Sequence, residues 1–229
     1  MLRRATVVRT LLGVVVVLLS YLGIVALWSW NAADAALAAF PAATQPLSAR
    51  QTAILLKIED PIFFEHPGLS LADGQGVTTI TSAIARDVFL MHGKLGGISG
   101  TMQGFYRAVF DCCKQVDIGR DVMALVLDAK VDKQRQLNMY VASVYMGTHQ
   151  GRQLRGLEAA AGAYLGKPLA QTGEHEFAGL VAMIKAPQQY HPLRQRPAFE
   201  ARLRRVEAVL AGSCAPRNMF DTEFKHCPG

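Results

Sequence analysis

Residues 58 to 68 read IEDPIFFEHPG and set a carboxylate pair, Glu59 and Asp60, beside Phe63, Phe64, His66 and Gly68. The segment before it, LSARQTAILLKI, places Leu47, Ile54, Leu55 and Ile58 on one apolar side and Ser48 where an N-cap belongs. That pattern predicts a helix. Pro61 has no amide N–H to continue it and disfavours helical backbone at the residue before, so the helix ends near Glu59. A carboxylate at that end lies against aromatic rings, where partial desolvation raises its pKa toward that of a general base. The same spacing also suits a solvated helix end with a capping histidine.

Four further stretches follow in order. Residues 76 to 90 read GVTTITSAIARDVFL, and residues 123 to 147 include MALVLDAK and MYVASVYMG. RGLEAAAGAYLGKPL spans 155 to 169, and EFAGLVAMIKAPQQYHP spans 176 to 192. Together these five stretches resemble the motifs of the family 51 glycosyltransferases, the peptidoglycan polymerases that also form the N-terminal half of bifunctional penicillin-binding proteins. In the second motif Gly76, Thr79, Ile80, Thr81, Arg86, Phe89 and Leu90 fit, and Thr78 stands where the family has serine. Ser82 and Ala83 replace paired glutamines, and Arg86 replaces a lysine. MYVASVYMG is similar to one of the family's later helices. The resemblance covers about residues 48 to 210.

What the resemblance implies is a single lysozyme-like, mainly α domain on one N-terminal transmembrane helix. The implied reaction joins lipid-linked disaccharide-peptides: the 4-hydroxyl of one attacks the anomeric carbon of another, and polyprenyl pyrophosphate leaves. A base must take the hydroxyl proton, and cations must offset charge on the pyrophosphate. Glu59 falls on the position of the base. Arg86 is the candidate for the pyrophosphate, because a guanidinium holds two phosphate oxygens at once. Asp60, Phe64, His66, Gly76, Thr78, Thr79 and Thr81 are expected around the substrate, although Thr79 suits equally the N-cap of a helix starting there. A divalent cation such as Mg or Mn is the one cofactor left open, and no metal ligand is assigned. The Cys214, His226, Cys227 spacing fits no standard zinc pattern.

One departure bears on activity. Counting back from MALVLDAK, the family's second catalytic glutamate falls on Arg120 and its nearby lysine on Asp117. Asp121 is adjacent, but one residue along a helix turns a side chain by about 100°. Two readings therefore stand: an active monofunctional polymerase in which Asp121 serves as the second acid, and a catalytically impaired relative that binds precursor or glycan or scaffolds other envelope proteins. A lytic enzyme acting on finished glycan is the weaker third. No SxxK motif with a following domain is present, so a transpeptidase is not expected.

Residues 11 to 30, LLGVVVVLLSYLGIVALWSW, carry no charge, and about 20 apolar residues cross a bilayer as a helix. Trp28 and Trp30 suit an interfacial belt, and Arg3, Arg4 and Arg9 place the N-terminus in the cytoplasm. The expected order is a cytoplasmic end (1–10), an anchor (11–30), a linker (31–47), the glycosyltransferase-like domain (48–210) and a tail (211–229), facing the outside of a bacterial inner membrane. NAADAALAA offers signal-peptidase-like sites, but the apolar run exceeds the 7 to 15 residues usual for a cleaved signal, so an uncleaved anchor is expected. Without those three arginines, the excess of basic over acidic residues falls from six to three. No Lys/Arg block resembles a nucleic-acid arm, and a modest basic bias suits lipid headgroups and a pyrophosphate.

Cys214 and Cys227 bracket the tail and suit a disulfide in an exported domain. Cys113 falls on an apolar stripe with Met102, Phe105, Tyr106, Val109 and Phe110, an amphipathic helix for which core packing is expected over a lipid-facing use. GKLGGISG (93 to 100) before it reads as a connector. Arg202, Arg204 and Arg205 on a last basic helix suit phosphates or water. Short, isolated alternating patterns do not support a β-rich fold.

Overall fold

The computed structural model describes residues 2–38, 40–43, 45–76, 78–110 and 117–229, without the side chains of 2–5 and 110. Along the chain run helices α1 (Leu2–Ala38), α2 (Ala49–Glu59) and α3 (Ile80–Arg86), a π-helical turn (Asp87–Met91), α4 (Gly97–Phe110) and α5 (Ile118–Lys130). Then come α6 (Lys133–Ser143), strands β1 (Tyr145–His149) and β2 (Arg152–Arg155), and α7 (Leu157–Leu165). A 3-10 turn (Leu169–Gln171), α8 (Glu174–Ile184) and α9 (Arg196–Leu210) complete a mainly α chain. It divides into two units, Met1–Phe40 with Ala85–Lys130, and Pro41–Ile84 with Val131–Gly229.

In the first unit α1 runs unbroken to Ala38, so residues 31–38, expected as linker, are helical. Asn31–Ala38 holds no glycine or proline and is rich in alanine, the best helix former. Its latter half buries Val25, Trp28, Ala32, Ala33 and Ala36 as α1 packs against α5, whereas Val7, Leu11, Leu12 and Leu19 are exposed. Thr6–Ala38 is long and apolar enough to cross a membrane. Trp28 does not form the expected interfacial belt. It is buried, stacks on Tyr106 at 6.3 Å and donates its Nε1–H to the Ser99 carbonyl at 3.2 Å. Trp30, about 200° further round the helix, stays half exposed under the Lys130 ammonium at 4.6 Å.

Helix α4 begins at Gly97, inside the expected connector. Of its stripe, Tyr106 is buried, while Phe105 and Val109 are 64% and 46% exposed. Core packing therefore holds for Tyr106 and not for those two. Cys112 and Cys113, and the side chains of Arg3 and Arg4, lie outside the described residues.

In the second unit Ser48 caps α2 through a reciprocal box: its hydroxyl accepts from the Gln51 N–H at 3.2 Å, and the Gln51 side chain accepts from the Ser48 N–H at 3.0 Å. Ser48→Ala is expected to cost about 1 kcal/mol, read as a lowered unfolding midpoint. Helix α8 buries Phe177 to Met183 on all sides, as a helix apolar all round must, and α2, α7 and α9 pack against it. The stretch MYVASVYMG does not continue as helix. α6 stops at Ser143, and Tyr145–His149 pairs antiparallel with Arg152–Arg155. Gln150 and Gly151, with φ of 49° and 77°, form the two-residue turn, and both central residues are left-handed as such hairpins need.

Candidate active site

Helix α2 ends where Pro61 forbids another turn, and the two carboxylates at its end have separate environments. Asp60 is fully buried. It accepts from the Ile80 N–H at 2.9 Å, the first amide of α3, and from His66 Nε2 at 3.0 and 3.1 Å. His66 Nδ1 accepts from the Gly68 N–H at 3.0 Å, which leaves Nε2 as the protonated nitrogen. Burial raises the Asp60 pKa, opposed by the Ile80 N–H, His66 and Lys133.

Thr79 joins the first two motifs. Its hydroxyl donates to the Gly68 carbonyl at 2.6 Å and accepts from the Ser82 N–H at 2.9 Å, the N-cap contact of α3. Thr81 is buried too, donating to Gln136 at 2.7 Å and accepting from the Lys133 ammonium at 3.3 Å. That ammonium also lies 4.7 Å over the buried Phe63 ring. Asp60, His66, Thr79 and Thr81 thus spend their polar atoms on one another, on backbone and on α6. These contacts hold the two motifs in register.

Glu59 differs. It is half-buried, and its carboxylate accepts a hydrogen bond from Tyr140 of α6 at 3.3 Å. Its pKa is pushed up to about 7, chiefly by desolvation, with a smaller push from Asp60. Arg202 on α9, Lys185 at the end of α8 and the Tyr140 hydroxyl oppose the rise. Phe64 and Thr78 are exposed, and the Gly76 N–H donates to the Met219 carbonyl at 2.6 Å. Tyr140, Lys133, Lys185 and Arg202 escaped sequence reasoning as members of this site. Arg202 carried the one available signal, an arginine amid the apolar positions Leu203, Val206 and Val209 of α9.

Arg86 and Asp121 belong to the first unit. Arg86 is exposed, and its guanidinium donates twice to buried Asp87, at 2.9 and 3.1 Å. Asp117 caps α5, accepting from the Gly119 and Arg120 N–H groups at 3.0 and 3.2 Å and from the Tyr106 hydroxyl at 2.7 Å. Its acidic identity has that structural use. Asp121, half-buried one turn in, has its pKa raised by burial and by Asp117 against the pull of Arg120. Arg120 Nε is buried without a partner among the described residues. The described residues include one cluster of metal-ligand type, Cys214, His226 and Cys227, and its two sulfurs are bonded to each other.

The family model described as transglycosylase matches residues 39–212. Penicillin-binding protein 1B of Vibrio cholerae is 31% identical over 165 residues, covering 66% of this chain and 19% of that protein. Penicillin-binding protein 1B of Escherichia coli K12 is 28% identical over 154 residues, 61% of this chain and 16% of its own length. The corresponding Buchnera aphidicola protein from the Acyrthosiphon pisum symbiont is 33% identical over 144 residues, 60% of this chain. The chain spans less than a fifth of the length of these relatives.

Proposed function

The chain belongs to the transglycosylase family, with its lysozyme-like, mainly α fold, and on that premise we propose that it is a peptidoglycan glycosyltransferase. It polymerises lipid-linked disaccharide-peptide and releases polyprenyl pyrophosphate, anchored by α1 in the inner membrane with the N-terminus cytoplasmic. The observation that supports this most is the division of labour between adjacent carboxylates. Asp60 is consumed in fixing the α2 end to α3, while Glu59 accepts a long hydrogen bond from Tyr140 and has a pKa about 7. A base poised there is ionised enough to accept the attacking hydroxyl's proton and basic enough to hold it. Phe64, Gly76 and Thr78 remain the candidates for substrate contact in the second unit, and Arg86 and Asp121 of the first unit are the candidates that the resemblance implies for the pyrophosphate and the second acid. The linker, the domain at 48–210 and the tail are kept at the boundaries expected from sequence as part of this proposal, with residues 31–38 helical.

Polymerisation of labelled lipid-linked disaccharide by the purified, detergent-solubilised chain tests the reading, and absence of product overturns it. Two observations favour the impaired relative: Arg120 at the acid position, and an Arg86 guanidinium already held by Asp87. Polymerisation gained by Arg120→Glu from an inert wild type would establish that second reading.

The pH dependence has a defined sign. Glu59 acts deprotonated, so the rate is expected to fall about tenfold per pH unit below 7 and to level above it. Stability runs the opposite way. A carboxylate whose pKa rises on folding contributes most below its unfolded value of 4.5, and that contribution is lost as pH climbs through about 7.

A further inference from the structure

The segment 213–229 lies beyond the part of the chain that matches the family, and it closes on itself through the Cys214–Cys227 disulfide. It has no regular helix or strand, yet it touches the glutamate site's framework at three places. The Asn218 and Met219 carbonyls accept from the Gly74 and Gly76 N–H groups at 3.0 and 2.6 Å, gripping the loop that leads into Thr79 and α3. Gly74 has a φ of +78°, and an added Cβ there would come within 2.5 Å of Pro216, so the tail sits directly on this backbone. Glu223 accepts from the Tyr190 hydroxyl at 3.1 Å, and its carbonyl accepts from Arg205 at 3.1 Å.

The third contact is Phe224. It is fully buried with a φ of 52°, a conformation a phenylalanine holds only where its surroundings impose it. Its ring lies 4.7 Å from the Arg202 guanidinium, with the Tyr190 ring at 5.9 Å. Arg202 is 1% exposed, and its Nε and Nη1 have no hydrogen-bond partner among the described residues. A guanidinium buried without acceptors is costly unless something else stabilises the charge. Here a π face and the field of a carboxylate do so. Helix α9, which carries Arg202, packs against α2, which ends at Glu59, and the Arg202 charge works to lower the Glu59 pKa.

We infer that the 213–229 segment is a positioning element of the glutamate site, in which Phe224 seats the Arg202 guanidinium as the counter-charge of Glu59. Arg202 and Phe224 are positioning residues: neither is required to touch the reacting atoms. If the ring is lost, or the tail is released by opening the disulfide, the guanidinium relaxes toward water. Glu59 then loses its main counter-charge and keeps Lys185, the Tyr140 hydroxyl and the opposing charge of Asp60. Its proton is held more tightly, so a rate limited by deprotonated Glu59 falls near neutral pH and recovers at higher pH.

The inference rests on Glu59 being the base, and its test separates the two. In full-length detergent-solubilised protein carrying ¹³C-labelled glutamate, Glu59 is titrated by carboxyl NMR, assigned by its loss in Glu59→Gln, beside the pH–rate profile. Phe224→Leu is expected to move the Glu59 titration and the acidic limb of the rate upward together by roughly one pH unit. Cys214→Ala with Cys227→Ala, or reduction of the wild-type protein, is expected to move both in the same direction. Folded variants with an unmoved Glu59 titration, or with a rate lowered equally at every pH, overturn the inference. If Phe224→Leu does not fold, Phe224→Met and the reduced wild type carry the test. If the wild type forms no polymer, the polymerase reading fails, while the carboxyl titration still decides whether the tail sets the charge environment of Glu59.

Discussion

Glu59→Gln is expected to lower polymerisation by roughly 10²–10⁴ while leaving the chain folded. The amide keeps the size of the carboxylate and can still accept the Tyr140 hydroxyl's hydrogen bond, so the end of α2 need not rearrange. What it removes is the ability to take a proton from the attacking hydroxyl. Each tenfold loss corresponds to about 1.4 kcal/mol of barrier, so the change asks about 3–5 kcal/mol of this one group. Because burial already disfavours the charged form, the variant is expected to melt no lower than wild type above pH 7, and higher if anything. Rates with labelled lipid-linked disaccharide and melting curves at pH 8 check both statements. Full activity, or a collapse of the fold, would make Glu59 a structural residue.

Asp60→Ala should behave in the opposite way, damaging the fold first. Asp60 is fully buried and accepts from the Ile80 N–H and His66 Nε2. Alanine leaves both donors in an apolar surround with no room to reach water. At about 1–3 kcal/mol for each of the two stranded donors, the expected loss is roughly 2–6 kcal/mol. The consequence for activity then comes through displacement of the α2 end, which carries Glu59. Chemical denaturation checks the number, and a midpoint equal to wild type would show that the Asp60 bridge does not hold the first two motifs together. Adjacent residues of like charge are thus expected to fail in different assays. A change of charge alone would not separate them so cleanly.

Much of this architecture was legible in local sequence because its causes are local. Pro61 stops α2 at Glu59 whatever surrounds it, and Ser48 with Gln51 is a self-contained cap. The long apolar run marks α1 by composition, and the two cysteines close a loop separated by 13 positions in the chain. The hairpin at 145–155 carried a weaker local signal, the Gln150–Gly151 turn, which the likeness of MYVASVYMG to a helix obscured. The exposed Phe105 and Val109 show the limit of periodicity. A stripe says that one side of a helix is apolar, not that anything covers it.

The site's chemistry depended on partners that sequence spacing does not bring together. Tyr140 meets Glu59 from 81 residues away, Gln136 meets Thr81 from 55, and Arg202 acts from a helix that composition alone would put in water. Which carboxylate is free and which is consumed followed from α3 docking its first amide on Asp60, a contact between backbone and side chain with no signature in residue type. Local sequence determined where α2 begins and ends and that a carboxylate pair would stand at its end. Only the tertiary structure decided their separate environments, because desolvation and charge fields depend on what the rest of the chain packs around them.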